Sequence, residues 1–303
     1  MPHPANHAAE SNAAGLNAAE ANAAALTQLG VETALQRPLA ALGLPPDTLP
    51  PAIARLRPQF TVTVVDQITS TNARLWEHLD QGAPTGSVII ARQQIAGRGQ
   101  RGRVWRSPGG GLYLSLAIAP DIPVADQAQL TLCTAWGVAY SLVNLGLPVQ
   151  LKWLNDLVIA APLQVSQAPH PAMGQPGSGH PASEPLSGDP AIAPLIDPNP
   201  TSPPPPDAVS PSRTCRKLGG ILTETRVTHG EITQAVIGIG LNWCNPVPDP
   251  GIALYDLVMA QAHKRNTAPT IPDLNHLAAI VLRGLLHGYY RWQHAGSDWL
   301  CSA

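Results

Sequence analysis

Lysine, charge and closely spaced cysteine are scarce in this sequence, and each shortage excludes something. Charged residues make up 13% of the 303 positions and the formal net charge is −2. The chain as a whole therefore offers no electrostatic case for wrapping DNA or RNA. Lysine occurs only as Lys152, Lys217 and Lys264, against 15 arginines. No apolar run reaches the roughly 18 residues of a membrane-spanning helix. No Lys or Arg precedes Arg37, so neither a signal peptide nor an Arg-rich transit peptide fits. Cys133, Cys215, Cys244 and Cys301 lie far apart with no C-x-x-C pair, which suits reduced thiols better than a disulfide framework or a zinc site. The ten histidines are scattered and read as surface or packing residues rather than metal ligands. These absences predict a cytoplasmic protein with no DNA or membrane partner.

Two stretches also lack the large apolar side chains that a core requires. Residues 1–50 repeat an Asn/Ala/Glu theme, and 15 of the 33 prolines fall between 161 and 215. The first reads as a loosely helical or disordered extension, giving a low-complexity extension and linker over 1–59. The second reads as a Pro-rich disordered insertion at about 161–213. What remains is enough for one domain over 60–303.

Within that domain the patterns predict strands at Thr61–Ile68, Ser87–Ala91, Leu112–Ile118, Lys152–Ile159, Gly220–Val227 and Gln234–Leu241. They predict helices after a cap at Ser70 or Thr71, over Asp126–Leu145, and over Asp273–His294. Strands outnumber helices and come partly in runs, so the fold class is α+β or mixed α/β.

The most informative stretch is Gly97-Arg98-Gly99-Gln100-Arg101-Gly102-Arg103. Its glycines let the backbone turn amides toward one point, and its guanidiniums bring forked positive charge, a pairing suited to a phosphorylated ligand. A plain solvated basic turn is equally compatible with the composition. Trp105, Pro108 and Gly109-Gly110-Gly111 follow, which rules against a Rossmann fingerprint or a P-loop. Lys152-Trp153-Leu154-Asn155-Asp156 and Lys217-Leu218-Gly219-Gly220 place two of the three lysines beside strand ends, where ordinary edge lysines also occur. Gly238-Ile239-Gly240-Leu241-Asn242 ends a strand, and its glycines fit a bulge or close packing as well as a site.

Taken in order, Ser70-Thr71-Asn72, Gln94 with the Gly-Arg loop, Trp105, K-W-x-N-D, K-L-G-G-I-L and G-x-G-x-N resemble the biotin–protein ligase family from about Thr61 to Asn242. The resemblance implies a mixed central β-sheet flanked by helices, of the biotin/lipoate–protein ligase catalytic type. It implies activation of biotin with ATP and Mg²⁺ to biotinyl-5′-adenylate and pyrophosphate. Transfer to one lysine of an acceptor follows, typically the biotin carboxyl carrier domain of acetyl-CoA carboxylase. By the family's pattern Ser70, Thr71, Asn72 and Gln94 hold biotin. Arg98, Gly99 and Gln100 close over it, with Lys217 at the carboxylate and Gly220 beside it. Arg98, Gln100, Arg101, Trp105, Lys152, Asn155, Asp156 and Asn242 serve ATP and the adenylate, with Lys217, Lys152 and Arg98 as the catalytic cations. No protein metal site is implied beyond the Mg²⁺ that accompanies ATP, and a homodimer is left open.

Three departures stand out. Gln100 occupies a position where many members carry Arg, Leu154 replaces a usual Pro, and the sequence leaves no room for the small C-terminal β-barrel of many relatives. No N-terminal helix-turn-helix is evident either, so the expectation is a ligase without repressor function. The alternatives are a lipoate–protein ligase relative, faintly suggested by Ser107-Pro108-Gly109-Gly110-Gly111, and a catalytically weak biotin-binding protein.

Overall fold

The structure, a computed structural model, describes residues 26–44, 60–160 and 215–296. Among the described residues, β-branched and alternating segments form eight strands: β1 (Thr61–Ile68), β2 (Ser87–Gln94), β3 (Leu112–Ile118), β4 (Ile122–Pro123), β5 (Val149–Lys152), β6 (Asp156–Ala160), β7 (Cys215–Thr228) and β8 (Glu231–Leu241). They make one sheet in the order β1-β2-β3-β8-β7-β6-β5, with β4 pairing beside β8. Of these described strand pairs β1–β2 is parallel and the others are antiparallel, so the sheet is mixed. The helices are α1 (Gln28–Leu35), α2 (Thr71–Asp80), α3 (Gln127–Asn144), α4 (Leu254–Arg265) and α5 (Leu274–Ala295). This is the expected α+β class, a mixed central sheet flanked by helices.

The period of two along a strand sorts side chains onto two faces. Leu112, Leu114 and Leu116 on β3 and Ile237, Ile239 and Leu241 on β8 enter the large core with residues of α1, α3 and α5. α3 and α5 approach closely, since a Cβ on Gly137 would collide with the Gly284 carbonyl. On the opposite face Ile89, Ala117 and Val236 pack with Leu75 of α2 in a smaller core.

Residues 26–44 correct the expected extension. Leu26, Val31, Leu42 and Leu44 are fully buried, and α1 packs on α5. Thr27 caps α1 by accepting from Gly30 N–H at 3.0 Å, and Asn275 Oδ1 accepts the Thr27 amide at 3.0 Å. The composition is Ala-rich, but a few well-spaced large side chains supply the buried face, each contributing about 1.5–3 kcal/mol. Residues 1–25 and 45–59 lie outside the described residues, as does the insertion expected at 161–213. By its contacts the chain divides into residues 1–161 with 215–303, and residues 162–214; the second unit falls outside the described residues.

Other differences are local. The strand expected over Lys152–Ile159 is a hairpin: β5 ends at Lys152, residues 153–155 turn, and β6 starts at Asp156. Lys217 to Gly220 lie inside β7 rather than before it. Ser70 occupies the N-cap position of α2 but makes no side-chain cap bond; Gln94 Oε1 accepts the Thr71 amide instead, at 2.8 Å. α4 escaped the sequence reading because only Leu254, Val258 and Ala262 of its twelve residues are buried, too sparse a stripe to register as periodicity.

Candidate functional site

The cleft lies on the face of the sheet opposite the large core, and its floor is low because its strands place small residues there. Cross-strand pairing sets Ser115 beside Gly238 and Gly238 beside Leu222, with Gly240 beside Gly220 in a second row. A Cβ on Gly238 would strike Asn72 Oδ1, and one on Gly240 would strike Trp105 Nε1. The G-x-G of β8 thus admits two side chains that close over the sheet, the close packing that the sequence left open.

A bulge aims the lysine. Leu157 pairs with Gly219 but Val158 pairs with Lys217, so Leu218 is an extra residue on β7. Leu218 and Ile221 consequently share the large core although three positions apart, and Lys217 and Gly220 share the cleft wall. Without the bulge strict alternation would send the lysine to the other face. Lys217 Nζ lies 2.7 Å from Asp156 Oδ1 and 5.5 Å from the centroid of Trp105.

At the inner end hydrogen bonds link α2 to the sheet. Gln94 Oε1 accepts from both the amide and the hydroxyl of Thr71, at 2.8 and 3.2 Å, and Gln94 Nε2 donates to Ser107 Oγ at 2.8 Å. The Ser115 hydroxyl lies 2.6 Å from Asn72 Oδ1 and 2.8 Å from Thr71 Oγ1. Asn72 Nδ2 donates to Glu224 Oε2 at 3.2 Å.

The Gly-Arg segment is a hairpin rather than an open nest of amides. Bridges join Gln94 to Ser107 and Arg98 to Val104. The amides of Gly99 and Trp105 donate within it, to Arg103 O at 2.7 Å and Gly97 O at 2.9 Å. Arg101 and Gly102 take left-handed φ values of 57° and 73° to turn the tip. Arg98 reaches down to Glu224, Nη1 to Oε1, at 3.0 Å.

These elements enclose a cleft of about 290 Å³. Of the residues singled out by sequence, Ser70, Thr71, Asn72 and Gln94 line its inner part. Arg98, Gly99, Gln100 and Trp105 contribute from the hairpin, and Asn155, Asp156, Lys217 and Gly220 from the strands. Three stand apart from this wall. Lys152 and Arg101 are exposed. Asn242, 5% exposed, works from behind: its amide N–H₂ donates to Lys217 O and its backbone N–H to Leu218 O, bracing the bulge. Arg103, named in the Gly-Arg stretch but given no site role by the sequence reading, also lines the cleft, as does Val104, which that reading missed; it missed Ser115 and Glu224 beneath it. No local signal marks the last two, because their partners are 43 and 152 positions away. Among the described residues no three His, Cys, Asp or Glu side chains gather as a metal site, and no helix is long and apolar enough to cross a membrane.

Residues 64–166 match the Biotin/lipoate A/B protein ligase family. The bifunctional ligase/repressor BirA of Escherichia coli is 39% identical over 227 residues, which cover 74% of this chain and 52% of that protein. The Bacillus spizizenii protein of the same name is 40% identical over 96 residues, 31% of this chain and 30% of that one. The chain thus spans about half the length, or less, of these curated relatives. Biotin protein ligase from Aquifex aeolicus in complex with biotin and ATP aligns with a TM-score of 0.46 at 19% identity, over 77% of this chain and 72% of that one.

Proposed function

From the premise that this chain carries a catalytic domain of the biotin/lipoate A/B protein ligase family, we propose that it is an ATP-dependent biotin–protein ligase. In the first step a carboxylate oxygen of biotin attacks the α-phosphorus of ATP, giving biotinyl-5′-adenylate and releasing pyrophosphate. In the second the amine of an acceptor lysine attacks the acyl carbon, AMP leaves, and an amide forms. The acceptor is a biotin carboxyl carrier domain, and the setting is the cytoplasm.

The observation that carries this reading is the polarity of the cleft. Its inner end offers uncharged donors and acceptors from Ser70, Thr71 and Gln94, suited to a ureido ring that both donates and accepts. Leu222 adds apolar wall for an acyl chain. Lys217, aimed into the cleft by its bulge, supplies a point charge where a carboxylate and an α-phosphate must meet. Their mutual repulsion and the charge gathering in the transition state are what such a cation offsets. Trp105 offers an aromatic face for the nucleotide base, and Arg98 and Arg103 add cations on the hairpin. Magnesium enters with the nucleotide, held by its phosphates. The adenylate is a reactive mixed anhydride, and the hairpin over residues 97–106 covers the side from which water would reach it.

Biotin-dependent ATP–pyrophosphate exchange, run beside an identical sample with lipoate, tests the reading without an acceptor protein. Exchange with biotin alone supports it. Exchange with lipoate alone replaces it with the lipoate reading, and biotin binding without exchange or acceptor labelling replaces it with a binding protein.

A further inference from the structure

We propose that Glu224 is a positioning residue of the cleft, its one carboxylate fixing both the Arg98 guanidinium of the hairpin and the Asn72 amide of α2. What the cleft binds rests on the ligase reading above; the geometry does not.

Glu224 lies on β7 opposite Val236 of β8, one step along the same face from Leu222. Oε1 stands 3.0 Å from Arg98 Nη1, and Oε2 accepts from Asn72 Nδ2 at 3.2 Å and from Trp76 Nε1 at 3.1 Å. Strand, helix and hairpin therefore meet on one anion. Its side chain is 21% exposed while that of Arg98 is 52% exposed, so the strand end of the pair is the more fixed and the hairpin end the more movable.

The charge, and not merely the acceptor, matters in both directions. Asn72 stands against Gly238 with Oδ1 beside the Ser115 hydroxyl and Nδ2 on the carboxylate. A flipped amide would set its oxygen against the carboxylate, so the anion selects one orientation of a side chain that is 3% exposed. Arg98 is held differently. Its long side chain projects from a hairpin whose own amides close on themselves, and the ion pair gives the guanidinium a defined place above β7. A half-exposed pair is weak, which lets Arg98 shift toward a phosphate without a large barrier. Glu224 thus sets where the hairpin's cation starts and leaves it free to move.

Two variants separate the parts. Glu224→Gln keeps an oxygen for Asn72 and Trp76 but turns an amide N–H₂ toward the guanidinium. Glu224→Ala removes both supports. Each is measured with the full chain by thermal unfolding, by amide hydrogen exchange over residues 71–80 and 97–106, and by pyrophosphate exchange with biotin and ATP varied separately. For Glu224→Gln we expect hydrogen exchange in the hairpin to quicken about fivefold with α2 unchanged. Its KM for ATP should rise about tenfold with the biotin KM within about twofold. Glu224→Ala should raise the biotin KM as well. A Glu224→Gln hairpin exchanging at the parent rate overturns the proposal, as does an equal rise in both KM values or a loss of Tm with no split between them. If the parent protein shows no pyrophosphate exchange, the ligase reading fails, while the contrast between hairpin and α2 in hydrogen exchange still decides the role of Glu224.

Discussion

The two faces of the central sheet are built from the same strands and follow opposite rules. The helical face takes the large residues of β3 and β8 and seals them under α1, α3 and α5. The cleft face carries Ser115, Gly238, Gly240 and Gly220, and over them sit hydrogen-bonded and charged side chains from three elements. Alternation along a strand lets one sequence do both, with the large core on one side and the candidate cleft on the other. Substitutions on the two faces should therefore separate fold stability from activity.

The largest effect on activity is expected from Lys217→Ala, which should lower pyrophosphate exchange by about 10²–10³. Its Tm should stay near that of the parent, because the Lys217 side chain is 40% exposed and its ion pair contributes little to folding. A large fall in Tm would show that the cleft face also holds the fold together. On the helical face Leu277, fully buried on α5, provides the converse. Leu277→Ala should cost about 2–5 kcal/mol in urea unfolding, with the KM of the remaining folded protein unchanged.

The helical face also carries a pH liability. His287 is 1% exposed, stacks near Trp136 and Tyr140 with ring centroids 5.8 and 5.4 Å away, and neither ring nitrogen has a hydrogen-bond partner among the described residues. Burial, helped by the nearby Arg291 charge, pushes its pKa down to about 4. The folded protein therefore keeps His287 neutral while the unfolded chain takes up a proton below about 6.5. Stability is complete above that pH and is lost as pH falls toward 4, by about 3 kcal/mol in all. Urea midpoints at pH 7 and pH 4.5 should show the fall, and His287→Phe should flatten it. An unchanged slope in that variant would assign the loss to other groups.

A smaller effect is expected from Gly240→Ala, which pushes Trp105 off the floor and should raise the KM for ATP about tenfold while leaving Tm almost unchanged. The smallest should come from the segment between β6 and β7. Ala160 and Cys215 are paired neighbours, so residues 161–214 begin and end at adjacent points. Replacing them with a two-residue Asn-Gly turn should leave exchange within about twofold of the parent, since loop length itself costs little. A marked rise in the biotin KM would instead assign that segment a part in the cleft.

Much of the sheet was legible because its signals are local. Thr61–Ile68 and Leu112–Ile118 are read correctly to the residue, and α5 begins one residue after its Asp273 cap, which accepts from His276 N–H at 2.9 Å. Motif order also gathers twelve residues that the folded chain brings to one cleft. Residues 26–44 were misread because an Ala-rich average hides five buried leucines and valines. The turn at 153–155 was misread because Leu157 and Ile159 extend the apolar run without marking where the chain reverses.

By itself the sequence determined most of the strands, all but β4 and the break between β5 and β6, and which of their faces is small, since a period of two depends only on near neighbours. It also determined the chemical kinds available to the cleft: a lysine in K-L-G-G, an Arg-Gly segment and a Ser-Thr-Asn helix start. Only the tertiary structure decided that Leu218 bulges and turns Lys217 into the cleft, that Asn242 braces that bulge, and that Glu224 joins α2 to the hairpin. Each of these is a property of paired strands or of side chains far apart in the chain. Register and contact across a sheet are settled by which strands meet, a choice that no single segment carries.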